Sequence, residues 1–282
     1  MITKNLRIML LSGLLICGGV SAARSQPRYL TEDHRMHKFH SKFLPKDRDV
    51  IVWLPSGYSD NPTKRYPVLY MHDGGAVFVI WRLDETAHAL ISNKQIEPLI
   101  IVCVPNGGTS EDRFDEYTPT KDPSLGKGGQ ANQYGRMLVE ELKPFIDSEY
   151  RTLTDASNTG LGGASLGGLV TLYLGLKYPA TFGRLAVMSP SVWWDKGMIL
   201  REVKSLTSKP ALRVWLDTGT QEGPTDGVKH LRDALKTKGW VLNSDLVYFE
   251  AEGARHNDEA FGRRASRFLK YLFPAQSNVI AE

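Results

Sequence analysis

Cysteine is almost missing from this chain of 282 residues: only Cys17 and Cys103 occur. A single cysteine left after any loss of Cys17 cannot form an intrachain disulfide, so the folded part must be held by an apolar core. Charge of one sign is equally scarce. Thirty-five Lys and Arg against 31 Asp and Glu leave a formal +4, spread along the chain, which gives no electrostatic case for nucleic acid. Internal repeats and low-complexity tracts are absent as well. The length suits one large domain. Long apolar runs are also lacking, with one exception near the start. Ile8 to Val20 is apolar, preceded by Lys4 and Arg7 and followed by Ser21-Ala22-Ala23. That run is too short for a comfortable membrane span and has the layout of a cleaved secretory signal over residues 1–23. A retained anchor is the alternative. Bulky Ile16 ahead of Cys17 disfavours a lipoprotein signal. The expectation is an exported domain over 24–282, periplasmic or secreted, with no membrane span after signal removal. Cys103 lies in the apolar run Leu99–Val104, where a buried, inert thiol is expected.

Glycine, by contrast, is concentrated where it counts. Gly162-Gly163-Ala164-Ser165-Leu166-Gly167-Gly168 contains the pattern G-x-S-x-G, followed by the apolar, helix-compatible run Leu169–Tyr178 and stopped by Pro179. A serine on a sharp strand-to-helix turn takes a strained backbone, so the residues two before and two after it must be nearly free of side chain. The turn also sets the hydroxyl at a helix N-terminus, where free N–H groups favour developing negative charge. Ser165 is therefore the candidate nucleophile.

The remaining chain alternates strand-like and helix-like segments. Residues 34–43 and 50–54 suggest an antiparallel hairpin around Lys46-Asp47-Arg48-Asp49. Strands are expected at 66–72, 98–104, before Ser165, and at 184–189, 211–216 and 245–250. Helices are expected at about 84–93, 131–150, after Ser165, and at 227–238 and 258–272. That alternation predicts an α/β fold with a mainly parallel sheet covered on both faces. His34, His37 and His40 are spaced by three, but on a strand they do not share a face and no acidic or cysteine partner accompanies them, which argues against a metal. Residues 105–130 show little periodicity and read as a long functional or mobile loop.

A serine needs a base and an orienting acid, and α/β-hydrolases present them in the order serine, acid, histidine. Only His230 and His256 lie downstream of Ser165. His230 falls mid-helix; His256 falls in the loop between the last strand and the last helix, where the fold puts the base. For the acid, Glu222, Asp217 and Asp226 are candidates near the end of the 211–216 strand. Glu222 is favoured because its loop lets it reach an imidazole. The oxyanion donors are expected to be the N–H of Leu166 and one from the loop after His72, at Gly75. Trp193 and Trp194 follow a strand end beside Ser165 and are candidate substrate-binding residues; adjacent aromatics point differently, so either one packs in the core and the other walls the pocket, or both pack. Arg113 either receives a substrate carboxylate or phenol or pairs with a neighbouring acid.

Several segments in order, Val68-Leu69-Tyr70-Met71-His72-Asp73-Gly74, Glu116-Tyr117-Thr118-Pro119, the Gly162–Gly168 elbow and Ser189-Pro190-Ser191-Val192-Trp193-Trp194-Asp195, resemble an esterase family of α/β-hydrolases. That family holds siderophore (enterochelin-type) esterases, feruloyl esterases, S-formylglutathione hydrolases and mycolyltransferases, and the similarity spans roughly residues 35–273. The resemblance implies that the acid follows Gly-Thr-x, here Gly219-Thr220-Gln221-Glu222, and that the base closes Gly-x-x-His, here Gly253-Ala254-Arg255-His256. It also maps the second oxyanion donor, which follows an Asp-Gly pair in the mycolyltransferases, onto Gly75. Some siderophore esterases use only Ser and His, so a dyad is implied as an alternative. The expected activity is hydrolysis of a small-molecule or carbohydrate-linked ester without metal or organic cofactor. Acyl transfer by the same residues and a non-catalytic binding role are the rivals.

Overall fold

A computed structural model describes residues 33–275, so the signal-peptide expectation for residues 1–23 lies outside them. Strands β1 (His34–Phe39) and β2 (Arg48–Trp53) form the expected hairpin. Strand β3 (Val68–His72) leads through a short turn α1 (Gly74–Ala76), a π-helical turn Val77–Trp81 and helix α2 (Leu83–Ser92) into β4 (Ile100–Val104). Helix α3 (Ser110–Tyr117) and the two-residue strands β5 (Lys121–Asp122) and β6 (Lys127–Gly128) follow. The next helix runs as α4 (Ala131–Arg136), a π-helical stretch Met137–Leu142, and α5 (Lys143–Glu149). The chain then alternates regularly: β7 (Thr159–Ala164), α6 (Leu166–Lys177), β8 (Arg184–Met188), α7 (Trp194–Ser205), β9 (Arg213–Gly219), α8 (Asp226–Thr237), β10 (Leu246–Ala251) and α9 (Asp258–Leu272).

The main sheet has the order β1-β2-β4-β3-β7-β8-β9-β10. The first two pairings are antiparallel and the rest parallel. Parallel strands need crossover helices, and those helices bury both faces, so the central strands read as continuous apolar runs. Ile-Ile-Val-Cys-Val of β4 is buried throughout. Alternation along each strand divides the core in two. Leu69, Met71, Ile101, Cys103, Ala186, Met188 and Trp215 pack on the side of α2 and α9. Val68, Tyr70, Ile100, Val102, Leu161, Leu185 and Val187 pack on the side of α4 and α6. Cys103 is buried in the first of these clusters.

This is the α/β-hydrolase arrangement. Because β3 sits between β4 and β7, the chain leaves adjacent strands in opposite lateral directions, and a crevice opens at their carboxyl ends. His72 and Ala164 are the last residues of those two strands. The loops that leave them carry Asp73-Gly74-Gly75 and Ser165.

Residues 105–130 are more ordered than their lack of periodicity suggests. Thr109 accepts from Asp112 N–H while the Asp112 carboxylate accepts from Thr109 N–H, a complete capping box that starts α3. Asp115 then holds Gly128 N–H at 2.8 Å, and Asp122 holds Ser124 and Asp195 N–H groups. The three histidines of the first strand region have separate partners: His34 meets Asp84, His37 meets Tyr150 and His40 meets Asp47.

Candidate active site

The elbow's geometry follows from its glycines. Ser165 has φ 60° and ψ −120°, a region that costs a non-glycine residue on the order of 1–3 kcal/mol and persists only where surroundings enforce it. Here the enforcement is tight packing of the turn on itself. A Cβ at Gly163 would stand 3.0 Å from the backbone carbon of Gly167, so the strand can fold back onto the helix only without it. Ser165 N–H donates to Met188 O at 3.0 Å, and Ser165 O accepts from Ser191 N–H at 3.0 Å. The serine is thus clamped through its own peptide groups. Its Oγ lies 3.3 Å from Ser191 Oγ, and no hydrogen bond to His256 occurs among the described residues.

Ser165 and His256 nevertheless face one cavity of about 460 Å³, shared with Asp73, Gly75, Asn106, Arg113 and Phe261. Hydrogen bonds between catalytic groups are commonly long or unmade until substrate binds. His256 follows β10 and precedes α9, whose first turn is capped by Asn257. Its ring meets Phe261 edge-on at 5.1 Å. Nδ1 lies 3.0 Å from Glu222 Oε2, which leaves Nε2 as the nitrogen available to take a proton. His230, on α8, is exposed and does not line this cavity.

The loop after β9 settles which carboxylate reaches the imidazole. A Cβ at Gly219 would stand 2.3 Å from Ala254 O and 2.7 Å from Glu222 Oε1, so glycine there lets the Glu222 loop close against the His256 loop. Glu222 Oε1 accepts from Ser189 Oγ at 2.7 Å, Gly219 N–H at 2.8 Å and Arg264 Nη1 at 3.1 Å. Burial pushes the Glu222 carboxyl up, but the hydrogen bonds from His256 and Ser189 and the Arg264 cation outweigh it and hold it below the usual carboxylate range. Asp217 is fully buried, accepts from Trp215 Nε1 at 2.8 Å and lies 3.5 Å from Arg264 Nη2. Burial pushes its carboxyl up to about 6, with Arg264 and Trp215 opposing. Its partners are Trp215, Ser189 N–H and Arg264, not His256. Asp226 is the first residue of α8, and the carboxylate within hydrogen-bond distance of His256 is that of Glu222.

With this geometry in place, comparison with known proteins is specific. The profile of the family described as "Putative esterase" matches residues 41–267. The chain belongs to this esterase family. Among curated proteins, the esterase is 28% identical over 245 residues to the "Endo-1,4-beta-xylanase/feruloyl esterase" of Xylanibacter ruminicola, covering 83% of this chain and 30% of that longer protein. It is 28% identical to the "Ferri-bacillibactin esterase BesA" of Bacillus subtilis, over 74% of this chain and 76% of the other. Among solved structures, the enterobactin esterase FES from Shigella flexneri superposes with a TM-score of 0.71 at 20% identity, covering 88% of this chain and 60% of that one. At that identity the superposition speaks for the fold.

The other expected site residues of the esterase divide. Gly75 lines the cavity and Leu166 opens α6 directly after Ser165, so both backbone N–H groups belong to first helical turns without intrahelical partners. Arg113 lines the cavity too, but its guanidinium is spent on Asp73: Nε and Nη2 donate to the two carboxylate oxygens at 2.8 Å each. Asn106 donates to the same carboxylate at 3.1 Å, and Tyr117 Oη accepts from Asp73 N–H. Asp73 has φ 55°, so this clamp fixes the left-handed residue that begins the Gly74-Gly75 turn. Trp194 is corrected to a packing residue: it is fully buried, donates from Nε1 to Thr120 O and stacks against Phe114. Trp193 turns outward and is 60% exposed, yet neither tryptophan lines the cavity at Ser165.

Sequence reasoning missed Arg264 and the roles of Ser189 and Ser191. A signal for Arg264 existed. On α9 the buried positions are Ala260, Phe261, Arg264, Ala265, Phe268, Leu269 and Leu272, and Arg264 is the one charge on that stripe. A larger cavity of about 840 Å³ lies at the opposite, amino-terminal ends of β7, β8 and β9, lined by Arg184, Lys209 and Arg213 among others. Two of its cations are already paired, Arg184 with Glu97 and Lys209 with Asp245, and neither Ser165 nor His256 lines it, so size does not make it the reactive site.

His72, beneath the Asp73 turn, adds a test of the acid side. It is buried, bonds Tyr134 Oη at 2.8 Å, and burial together with Arg113 nearby lowers its pKa to about 3. The folded state therefore keeps it neutral while an unfolded chain protonates it near pH 6.5. The unfolded state binds more protons in that window, so this contribution to stability is lost as pH falls from about 6.5 toward 3. Urea unfolding of wild type and His72→Gln should show a stability difference that changes by up to about 1.4 kcal/mol per pH unit within that window. Parallel curves for the two proteins would mean that His72 is protonated in the fold.

Proposed function

We propose that this chain is an exported serine ester hydrolase acting through Ser165, His256 and Glu222. The observation that carries the proposal is the single cavity in which a strained, helix-capping Ser165 faces a histidine held by a buried carboxylate at 3.0 Å. In this reading Ser165 Oγ attacks the ester carbonyl while His256 Nε2 takes its proton, and Glu222 stabilises the imidazolium. The N–H groups of Leu166 and Gly75 hold the oxyanion. His256 then returns the proton to the departing alcohol, leaving an acyl-enzyme. Water, deprotonated by the same imidazole, releases the acid and restores Ser165. An acceptor alcohol in place of water would give acyl transfer. Export is supported by the leader-like residues 1–23.

For the substrate we infer a short acyl, aryl, sugar-linked or siderophore ester, in line with the names of the feruloyl and siderophore esterase relatives. A cavity of about 460 Å³ suits a small acyl group, with apolar Phe261 and polar Asn106 and Asn257 among its lining. Trp193 stands two residues from Ser191 on the same loop and offers an exposed indole to whatever extends beyond the cavity. The test is a panel of acetyl, feruloyl, catecholate and long-chain esters assayed with purified protein. Aryl and short acyl esters should be cleaved and triglycerides spared. No turnover of any ester would defeat the proposal. Aromatic stacking contributes roughly 0.5–1.5 kcal/mol beyond area burial, so Trp193→Ala should raise KM on aryl esters several-fold with little change in kcat. Trp194→Ala should instead lower stability by about 3–5 kcal/mol. An unchanged KM for Trp193→Ala would remove the indole from the substrate path.

A further inference from the structure

Asp217 was the competing acid on sequence grounds, and its position behind Glu222 points to a different use. Three buried charged groups, Asp217, Arg264 and Glu222, meet under the His256 loop with almost no exposure. Such a cluster is costly to desolvate and is weak as a source of stability. Its hydrogen bonds run in one direction. Asp217 lies 3.5 Å from Arg264 Nη2, which donates to Ser189 Oγ at 2.9 Å. With that oxygen's lone pair engaged, the Ser189 proton is directed to Glu222 Oε1 at 2.7 Å. Arg264 Nη1 and Gly219 N–H converge on the same Oε1. One carboxylate oxygen is thus saturated by three donors, and Oε2 alone is left, aimed at His256 Nδ1.

Ser189 itself has φ 38°, an unusual conformation for serine, and its N–H donates to Asp217 O at 2.9 Å and Oδ1 at 3.2 Å. Asp217 therefore grips both ends of the relay, the Ser189 backbone and the Arg264 guanidinium. We propose that Ser189 and Arg264, anchored by Asp217, are positioning residues that fix the rotation of the Glu222 carboxylate and so the orientation of His256. This rests on the proposed roles of Glu222 and His256. None of the three lines the cavity at Ser165; each acts through Glu222.

A double-mutant cycle tests it on p-nitrophenyl acetate. Ser189→Ala removes one hydroxyl and little volume, so it keeps the test open if Arg264→Met does not fold. Misplacement of a catalytic pair by a fraction of an ångström costs on the order of tenfold or more. Ser189→Ala should lower kcat by about that factor with KM unchanged. In a Glu222→Gln background, the same Ser189→Ala change should cost less than about twofold, because residues that act through one another are not additive. Equal losses in both backgrounds, or no loss in either, would overturn the relay while leaving the ester-hydrolase reading intact. Full activity in Glu222→Gln alone would remove the acid itself, and the relay with it.

Discussion

Ser165→Ala should abolish ester hydrolysis and labelling by a fluorophosphonate probe while leaving the protein folded. Loss of the nucleophile in a serine hydrolase costs on the order of 10⁶ in kcat, the largest effect expected of any single change here. The fold should survive because the turn is held by backbone, not by the hydroxyl: Ser165 N–H to Met188 O, and Ser165 O to Ser191 and Leu169 N–H. The hydroxyl's own contact is one 3.3 Å approach to Ser191 Oγ, worth little to stability. The measurement is intact-mass detection of the phosphonylated protein beside a circular dichroism melt. Wild type should gain one adduct and the variant none, with melting curves nearly superimposed. An adduct on the variant would place the nucleophile elsewhere, and Ser191 would be the first position to examine, since its hydroxyl lies 3.3 Å from that of Ser165. Ser165→Gly supplies a check of a different kind. Glycine tolerates φ 60°, so relief of strain should offset its entropic cost, and the variant should be at least as stable as Ser165→Ala.

Motifs whose meaning is steric were legible in the sequence. The glycine at 163 could be read because a turn packed on itself admits no side chain there, a Cβ falling 3.0 Å from the Gly167 backbone, whereas a Cβ at Gly167 would meet only side-chain atoms at 3.4 and 3.5 Å. Strands such as β4 were legible because burial on both faces leaves only apolar residues. His256 was legible from chain order, a property of topology. What depends on how two loops meet was not. Glu222 and Asp217 differ in sequence by five positions, and only the closure of Gly219 against Ala254 decides which carboxylate reaches the imidazole. Trp193 and Trp194 are neighbours with the same chemistry; Thr120 O and Phe114, supplied from 70 or more positions away, draw one of them inward. The segment 105–130 hid its order differently. Its helix is short and polar, with a capping box of Thr109 and Asp112 that carries no hydrophobic period. Arg113 was open between substrate and a neighbouring acid, and the acid it found, Asp73, lies 40 positions back.

The two carboxylates should separate sharply in turnover. Glu222→Gln keeps shape but removes the charge opposite His256 Nδ1, and its amide can present a donor where the imidazole N–H needs an acceptor. In a Ser-His-Asp enzyme the equivalent change costs about 10⁴ in kcat, and a loss of that order is expected here with KM little altered. Asp217→Asn removes a charge that touches Arg264 and Trp215 but not His256. Its effect on kcat should be on the order of tenfold, transmitted through placement of Glu222. The pH dependence of stability distinguishes them again. Glu222 is held below the usual carboxylate range in the fold, so its contribution to stability is present above its unfolded pKa and is lost as pH falls through the folded value. Asp217, raised to about 6 by burial, has the opposite sign: the folded state binds its proton more readily, so this group favours folding more strongly as pH falls from about 6 toward 4. Glu222→Gln should therefore lessen the loss of stability at low pH, and Asp217→Asn should deepen it. If Asp217→Asn carried the 10⁴-fold loss and Glu222→Gln the small one, the imidazole's partner in solution would be Asp217, and the Glu222 loop would have to open. If both effects were mild, Ser165 and His256 would suffice as a dyad, with the buried carboxylates serving only to seat the loop.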